Sequence, residues 1–102
     1  MYFSDQLILV DIAELPNDLG DPVRTELLTT VFANKKSIRQ SEFYQAAASG
    51  LRPELMFEVN TSEYTQQTYA IWNAKYYKII RTYDRPDELT ELVLQGVTNG
   101  VI

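Results

Sequence analysis

The chain contains no cysteine and no histidine, which removes most of the side chains that carry chemistry in proteins. Without cysteine there is no disulfide framework and no thiolate metal site. Without histidine, the usual general base for a serine or threonine nucleophile is missing, and no Ser-x-x-Lys sequence replaces it. The four scattered glycines do not form a phosphate-binding loop. The composition therefore predicts a protein that is not an enzyme, with no catalytic residues, no metal site and no cofactor.

Positive charge is scarce, and long apolar runs are absent. Fourteen acidic residues against nine basic residues give a net charge of −5, and Lys35 and Lys36 are the only adjacent basic pair. A nucleic-acid interface needs a stripe of positive charge, so we expect no specific binding of DNA. Because no apolar run reaches about 18 residues and no basic segment precedes an apolar one, we expect a soluble, unprocessed chain with no membrane association.

Two groups of carboxylates are the remaining candidates for acid-base chemistry. They are Glu14, Asp18 and Asp21 in one group, and Asp84, Asp87 and Glu88 in the other. Both groups lie in turns that contain proline, where solvated charge is the usual explanation. Neither group has the ligand spacing of a calcium loop. A carboxylate-based hydrolase is therefore only the third hypothesis for function.

The length of 102 residues predicts one domain that spans residues 1–102. Near its start, alternating apolar residues predict a strand from Leu7 to Leu15 and a second strand from Val23 to Ala33. The sequence PNDLGDP between them consists of turn-forming residues, which favours pairing of the two strands as a hairpin.

A short helix is predicted in the middle of the chain. Ser41 is expected to be the N-cap of a helix from Glu42 to Ser49, with Gly50 at the C′ position. Ser37, which is spaced from Gln40 as in a capping box, is an alternative start. A helix of this length is shorter than the about 12–15 residues that an isolated helix needs, so it must be held by docking.

The second half of the chain returns to strand patterns. Alternation predicts strands from Leu55 to Val59, Tyr69 to Trp72, Lys75 to Tyr83 and Leu89 to Leu94, with a tight hairpin at Asn73-Ala74 and a flexible tail at residues 95–102. The predicted fold class is therefore all-β, with a small antiparallel β-barrel or sandwich of about six strands and one short α-helix.

Two groups of aromatic residues have different expected positions. Tyr77 and Tyr83, together with Ile79, are expected to line the barrel interior because they share one face of a strand. Phe43 and Tyr44 are neighbours on the helix, so they point about 100° apart. A short helix cannot bury both rings against one sheet. At least one of these rings is therefore expected to face a neighbouring molecule.

Residues 23–94 resemble the head-tail connector proteins of tailed bacteriophages, the head-closure or stopper class. The resemblance is carried by the run KSIRQSEFYQAAASGLRPELMFEV, followed by YYKIIRTY and DELTELVL. The residues that carry it are Ser37, Gln40, Glu42, Phe43, Tyr44, Ala46, Gly50, Leu51, Pro53, Phe57, Arg81, Thr82 and Tyr83. In that family, the segment that corresponds to residues 37–57 makes subunit contacts, takes part in channel closure and can be mobile in the free subunit.

The resemblance implies a structural virion protein without enzymatic activity. Such a protein forms part of a connector ring, a hexamer or dodecamer, that closes the DNA-filled capsid and joins it to the tail. Its partners would be portal-adaptor and tail proteins, and DNA would pass through the channel without specific binding. Its location would be the head-tail interface of the virion or, for a prophage-encoded protein, the host cytoplasm before assembly.

The implied contacts with other subunits or partners lie in one segment. The residues expected to make them are Ser37, Arg39, Gln40, Glu42, Phe43, Tyr44, Ala47, Leu51, Arg52 and Met56. The alternative hypothesis is a phage tail-completion protein or assembly factor, a binding module without enzymatic activity that captures a strand at a sheet edge.

Overall fold

Six strands and one helix form in the computed structural model, which describes residues 5–97. The strands are β1 (Asp5–Pro16), β2 (Pro22–Lys36), β3 (Leu55–Asn60), β4 (Tyr69–Trp72), β5 (Lys75–Asp84) and β6 (Leu89–Gly96). The helix α1 spans Gln40–Ala48, and a single 3₁₀ turn spans Thr61–Glu63. The strands close into an antiparallel barrel in the order β1-β2-β3-β6-β5-β4. The predicted all-β class is confirmed, and of the two predicted architectures the barrel is the one observed.

The predicted hairpin of the first two strands is confirmed, and it is longer than expected. Its register pairs Asp5 with Ala33 at one end and Pro16 with Pro22 at the other. At the turn, the Asn17 side-chain oxygen accepts hydrogen bonds from the backbone nitrogens of Leu19 and Asp21, at 2.9 and 3.0 Å. This Asx turn fixes the reversal of the chain without a partner from the barrel.

Much of this hairpin extends beyond the barrel wall. β1 pairs with β4 only through residues 8–10, and β2 pairs with β3 only through residues 34–36. We call residues 11–29 the arm. The longest dimension of the described chain is 49 Å, against 32 and 24 Å for the other two. The arm therefore makes the molecule elongated.

The barrel interior holds the main hydrophobic core. The buried residues of this core are Leu7, Leu9, Val31, Ala33, Phe57, Val59, Ala70, Tyr77, Leu92 and Leu94. Trp72 packs against them, with its ring centroid 5.6 Å from that of Phe57. Every strand contributes inward residues at a spacing of two, which is the alternation that the sequence pattern predicts.

The β4–β5 turn is a tight hairpin, as predicted. Asn73 and Ala74 have φ angles of 55° and 63°, and Trp72 pairs with Lys75. Positive φ at both central residues is the condition for a type I′ turn, whose twist matches that of the strands. Alanine adopts this conformation at a cost that the flanking strand pairs offset.

A β-bulge in β5 overturns the predicted position of Tyr83. Ile79 pairs with the inward-facing Leu94, but the next paired residue is Arg81, opposite Val93. The extra residue between them reverses the alternation, so Tyr83 lies outside the barrel while Tyr77 and Ile79 face inward. The prediction is confirmed for Tyr77 and Ile79 and wrong for Tyr83, because a strict period of two does not anticipate a bulge.

The helix begins two residues before the predicted start. Arg39 is the N-cap and makes no side-chain capping bond, so neither Ser41 nor Ser37 is the N-cap. The C-terminus follows the prediction, because Gly50 has a φ of 75° at C′. The backbone nitrogens of Gly50 and Leu51 donate to the carbonyls of Ala47 and Ala46, which is a Schellman motif.

The end of the described chain differs from the predicted loose tail. Gln95 and Gly96 belong to β6, and the backbone nitrogen of Val97 donates to the carbonyl of Tyr76 at 3.2 Å. The rest of the predicted tail, with Val101 and Ile102, lies outside the described residues. Within residues 5–97, α1 is too short to cross a lipid bilayer.

Candidate functional site

A group of charged side chains lies on the outer face of β3, β6 and β5, beneath α1. Glu58 of β3 stands opposite Glu91 of β6, and Glu91 stands opposite Tyr83 of β5, so the three side chains share one face. Glu58 is only 1% exposed and Glu91 only 8% exposed. Two neighbouring buried carboxylates are costly unless cations accompany them.

Arg85 is the cation that contacts both carboxylates. Its guanidinium donates to Glu58 and lies 3.6 Å from a Glu91 oxygen. Its other terminal nitrogen donates to Asp87 at 2.6 Å, and this carboxylate is in the turn before β6. Lys36 at the end of β2 lies 3.8 Å from the second Glu58 oxygen. The planar guanidinium thus joins the sheet surface to the β5–β6 turn.

The helix contributes the other half of the group. Glu42, 3% exposed, accepts a hydrogen bond of 2.6 Å from the Tyr83 hydroxyl and lies 3.4 Å from Nε of Arg81. Arg39, at the N-cap, donates to both Glu91 oxygens at 2.9 and 3.4 Å. These contacts hold α1 on the barrel, which explains how so short a helix is stable.

Two pKa values in this group are shifted. Burial raises the pKa of Tyr83, and the hydrogen bond to Glu42 raises it further because ionisation would place two negative charges side by side. The hydrogen bond to Glu91 raises the pKa of Arg39. The raised pKa values favour the neutral Tyr83 hydroxyl that donates to Glu42 and the charged Arg39 guanidinium that donates to Glu91.

We call this group the charge cluster. Its members are Lys36, Arg39, Glu42, Glu58, Arg81, Tyr83, Arg85, Asp87 and Glu91. It contains four acidic and four basic side chains, so the charges balance. The Oε1 atoms of Glu42 and Glu58 are buried and accept no hydrogen bond among the described residues, but each lies within 4 Å of a cation.

The arrangement is suited to holding the helix and the sheet together. Each carboxylate of the cluster lies within 4 Å of a guanidinium or ammonium group. Residues 5–97 contain no group of three or more acidic side chains arranged to hold a metal ion. The ion pairs of the cluster join α1 to the sheet and the sheet to the β5–β6 turn.

The predicted contact residues divide into exposed and buried side chains. Phe43 and Tyr44 are 46% and 69% exposed, so both rings reach the surface, whereas the spacing on the helix predicted this for at least one of them. Also at the surface are Ser37, Arg39, Gln40, Ala47 and Arg52, with Leu51 half-buried. The Gln40 amide donates to the Tyr44 hydroxyl at 3.2 Å, which keeps these two side chains together. Their role in subunit contacts stays a prediction.

Glu42 and Met56 do not share this surface. Glu42 is held in the charge cluster and Met56 is 1% exposed on β3, so neither presents a side chain to a partner in this conformation. The sequence did not predict this burial, because the face of α1 that turns toward the barrel depends on how the helix packs on the strands. Glu42 instead holds the helix that carries Phe43 and Tyr44, through its contacts with Tyr83 and Arg81.

Sequence reasoning missed the members of the cluster on the strands. Glu58 and Glu91 each occupy an outward position in an alternating strand, which normally indicates a solvated face. A signal was present, because Arg81 and Arg85 have the spacing of one strand face and could balance two glutamates on neighbouring strands. Recognising it required the pairing of β3 with β6 and β6 with β5.

Comparison with known proteins identifies the fold and no family. No protein-family model matches the chain, and no curated protein matches it. Among solved structures, the chain is similar to the solution structure of protein SF1141 from Shigella flexneri 2a, with 11% sequence identity and a TM-score of 0.72. The match covers 95% of each chain. At this identity, the likeness concerns the fold alone.

Proposed function

We propose that this protein is a structural subunit of the head-tail connector of a tailed bacteriophage, where it forms part of the ring that closes the DNA-filled capsid and joins it to the tail. The proposal includes a homo-oligomeric ring, contacts with portal-adaptor and tail proteins, and a location at the head-tail interface. It includes no enzymatic activity.

The exposed face of α1 is the observation that carries this proposal. Phe43 and Tyr44 are consecutive residues of α1 with 46% and 69% of their surface exposed, within the segment that the sequence resemblance assigns to assembly. Large aromatic rings exposed next to each other are typical of protein interfaces, where they supply much of the binding energy. The charge cluster fixes the helix beneath them, so the rings are presented on a defined surface.

The distribution of charge supports passage of DNA without binding. Four of the nine basic residues are engaged in the balanced charge cluster, so the other ten acidic and five basic residues carry the net charge of −5. A ring of such subunits repels the phosphate backbone, whereas a basic lumen would retain DNA in a salt-dependent manner. We therefore expect duplex binding weaker than the roughly 10⁻⁴–10⁻⁶ M of ordinary non-specific binders.

The test is reconstitution on the portal complex of a tailed bacteriophage. Electron microscopy of portal complexes mixed with the purified chain should reveal an added ring, and Phe43→Ala or Tyr44→Ala should prevent its addition. Phe32→Ala is the matched control, because Phe32 is 56% exposed but lies on β2, away from α1. Absence of any association with portal-adaptor or tail proteins would overturn the proposal.

The proposal also predicts how α1 behaves before assembly. The helix has nine residues and is fastened mainly by charged groups, so it should open locally more often than β5. Hydrogen exchange on the isolated chain should show weaker protection in α1 than in β5, and the difference should shrink in the assembled ring. Equal protection in the isolated chain would mean that assembly does not order this segment.

A tail-completion protein or assembly factor is the second candidate function. The observation that favours it is the arm, because its outer edges carry no strand partner among residues 5–97 and an edge can take up a strand from another protein. This candidate predicts binding to isolated tail proteins in the absence of the portal complex. A connector subunit is instead expected to bind tail proteins only when the portal complex is present.

A further inference from the structure

The arm carries acidic and exposed apolar side chains on a rigid projection. On one of its faces, Leu15, Val23 and Leu27 are 43–44% exposed, and Leu19 at its tip is 85% exposed. Within residues 11–29, five side chains are acidic and Arg24 is the only basic one. Exposed apolar side chains on an arm that carries five carboxylates and one arginine indicate a surface that is covered by a basic, apolar partner.

A surface with the opposite character lies at the other end of the same hairpin. The end of β2, the start of α1 and the start of β3 enclose a groove of about 510 Å³. Its lining residues are Lys35, Lys36, Ser37, Ile38, Phe43, Glu54 and Leu55. We call it the basic groove. Phe43 and Leu55 supply apolar surface, and Lys35 supplies positive charge with its ammonium 4.9 Å from the centroid of the Trp72 ring. Lys36 also faces Glu58, and the Glu54 carboxylate accepts a hydrogen bond from the Gly96 backbone.

The arm tip and the basic groove of one chain cannot meet. Pro22 and Lys35 lie thirteen positions apart on the continuous strand β2, which separates them by roughly 40 Å at about 3.3 Å per residue. The overall length of 49 Å agrees with this separation. Any arm that fills a basic groove must therefore come from another molecule.

We propose that the arm of one copy of this chain docks in the basic groove of a second copy. The apolar residues of the arm cover Phe43 and Leu55, and its carboxylates pair with Lys35. Each copy offers one arm and one groove, so the contact is head-to-tail and closes into a ring when the rotation between copies permits. This inference rests on the proposed function, since it names the surfaces through which the ring subunits join.

Charge reversal tests the docking in pairs of variants. The arm variant carries Asp18→Lys and Asp21→Lys, and the groove variant carries Lys35→Glu and Ser37→Glu. All four positions are exposed, and Lys36 is left unchanged because it faces the buried Glu58. Circular dichroism and thermal unfolding of each variant verify that the barrel is intact.

The expected result is loss of assembly in each variant and recovery in the mixture. Sedimentation velocity should show self-association weakened at least about tenfold for either variant alone. In an equal mixture, arms and grooves of alternate copies are again of opposite charge, so assembly should return to near the wild-type level. Wild-type chain that stays monomeric at the highest soluble concentration, or variants that associate like the wild type, would overturn the inference.

Cysteine cross-linking tests the contact directly in a chain that has no native cysteine. Leu19→Cys places a thiol on the arm tip and Ser37→Cys places one in the basic groove. Under mild oxidation, a mixture of the two variants should form disulfide-linked pairs in high yield, whereas Leu19→Cys mixed with Ser62→Cys, which is exposed on the 3₁₀ turn, should not. Equal yields in both mixtures would overturn the inference.

The reconstitution on portal complexes separates the two proposals. If rings form and the charge-reversed variants join them normally, the arm does not dock in the groove and the connector function stands. If arm and groove cross-link but no ring forms with portal-adaptor or tail proteins, the docking stands and the connector function fails.

Discussion

The α1 side of the barrel and the arm hold charge in opposite ways. Under α1, four carboxylates face four cations within one subunit, and the helix is fixed by those contacts. On the arm, five acidic side chains and several exposed leucines project from a two-stranded ribbon. The charges under α1 are paired within one subunit. The arm instead exposes acidic and apolar side chains that a partner could cover.

This contrast indicates where stability resides and where assembly is expected. Buried charges that are paired inside the subunit make the fold sensitive to the loss of any one of them. Exposed leucines on a ribbon contribute little to folding, because they remain in water in the single chain. Substitutions in the cluster should therefore lower stability, and substitutions on the arm should alter assembly.

The largest effect on stability is expected for Arg85→Met. This change removes the closest cation from Glu58, which is 1% exposed and would keep only Lys36 at 3.8 Å. An uncompensated buried carboxylate should lower the free energy of unfolding by about 3 kcal/mol. Urea unfolding measures the loss, and adding Glu58→Leu should recover most of it. A loss below about 0.5 kcal/mol, the range of ordinary surface substitutions, would contradict the structural role of the pair.

A smaller effect is expected for Tyr83→Phe. The substitution keeps the ring and removes the 2.6 Å hydrogen bond to Glu42, which leaves this buried carboxylate with Arg81 alone. Hydrogen bonds to charged groups contribute about 1.5–3 kcal/mol, so we expect a loss near the lower end of that range. Urea unfolding is again the measurement. Tyr69→Phe on β4 is the control and should be nearly neutral.

Alkaline pH should weaken the fold by a related route. Burial raises the pKa values of Tyr64, Tyr77 and Tyr83, so the folded chain binds these protons more tightly than the unfolded chain does. Their contribution is complete below the unfolded tyrosine pKa of about 10 and is lost as the pH rises through the higher folded values. Thermal unfolding between pH 8 and about 11 should show this decline. The decline should be shallower in Tyr83→Phe, and an equal slope would show that Tyr83 is not involved.

The smallest effect on stability is expected on the arm. Leu28→Ser changes a side chain that is 57% exposed, so the unfolding free energy should shift by no more than about 0.5 kcal/mol. Leu27→Thr on the opposite face should behave similarly in the single chain and weaken self-association. Urea unfolding with sedimentation velocity separates the two properties. A large loss of stability from either change would mean that the arm belongs to the cooperative core.

Local sequence patterns predicted most of the elements. Alternation identified the strands, the residues Asn17 and Gly20 indicated the first turn, and Gly50 indicated the end of the helix. The adjacency of Phe43 and Tyr44 was enough to predict that the helix could not bury both rings. These features depend on residues close in the sequence, whose backbone preferences act before any tertiary contact forms.

Local sequence patterns predicted only part of the candidate site. The exposed surface of α1 lies where the sequence placed it, but Glu42 and Met56 were expected to meet a partner and are instead buried inside the subunit. The start of the helix at Gln40 was also missed, because Arg39 takes the N-cap position while its side chain binds Glu91. A contact between residues so distant in the sequence outweighs the intrinsic capping preference of Ser41.

The sequence by itself determined the all-β class, the hairpins, the short helix and the acidic balance, since each follows from local pattern or composition. Only the tertiary structure decided that β5 contains a bulge, that Tyr83 therefore leaves the core for the outer face, and that Glu58 and Glu91 meet there. The physical reason is that strand pairing and barrel closure bring together side chains from β3, β5, β6 and α1. Their charges become interdependent only when water is excluded between them.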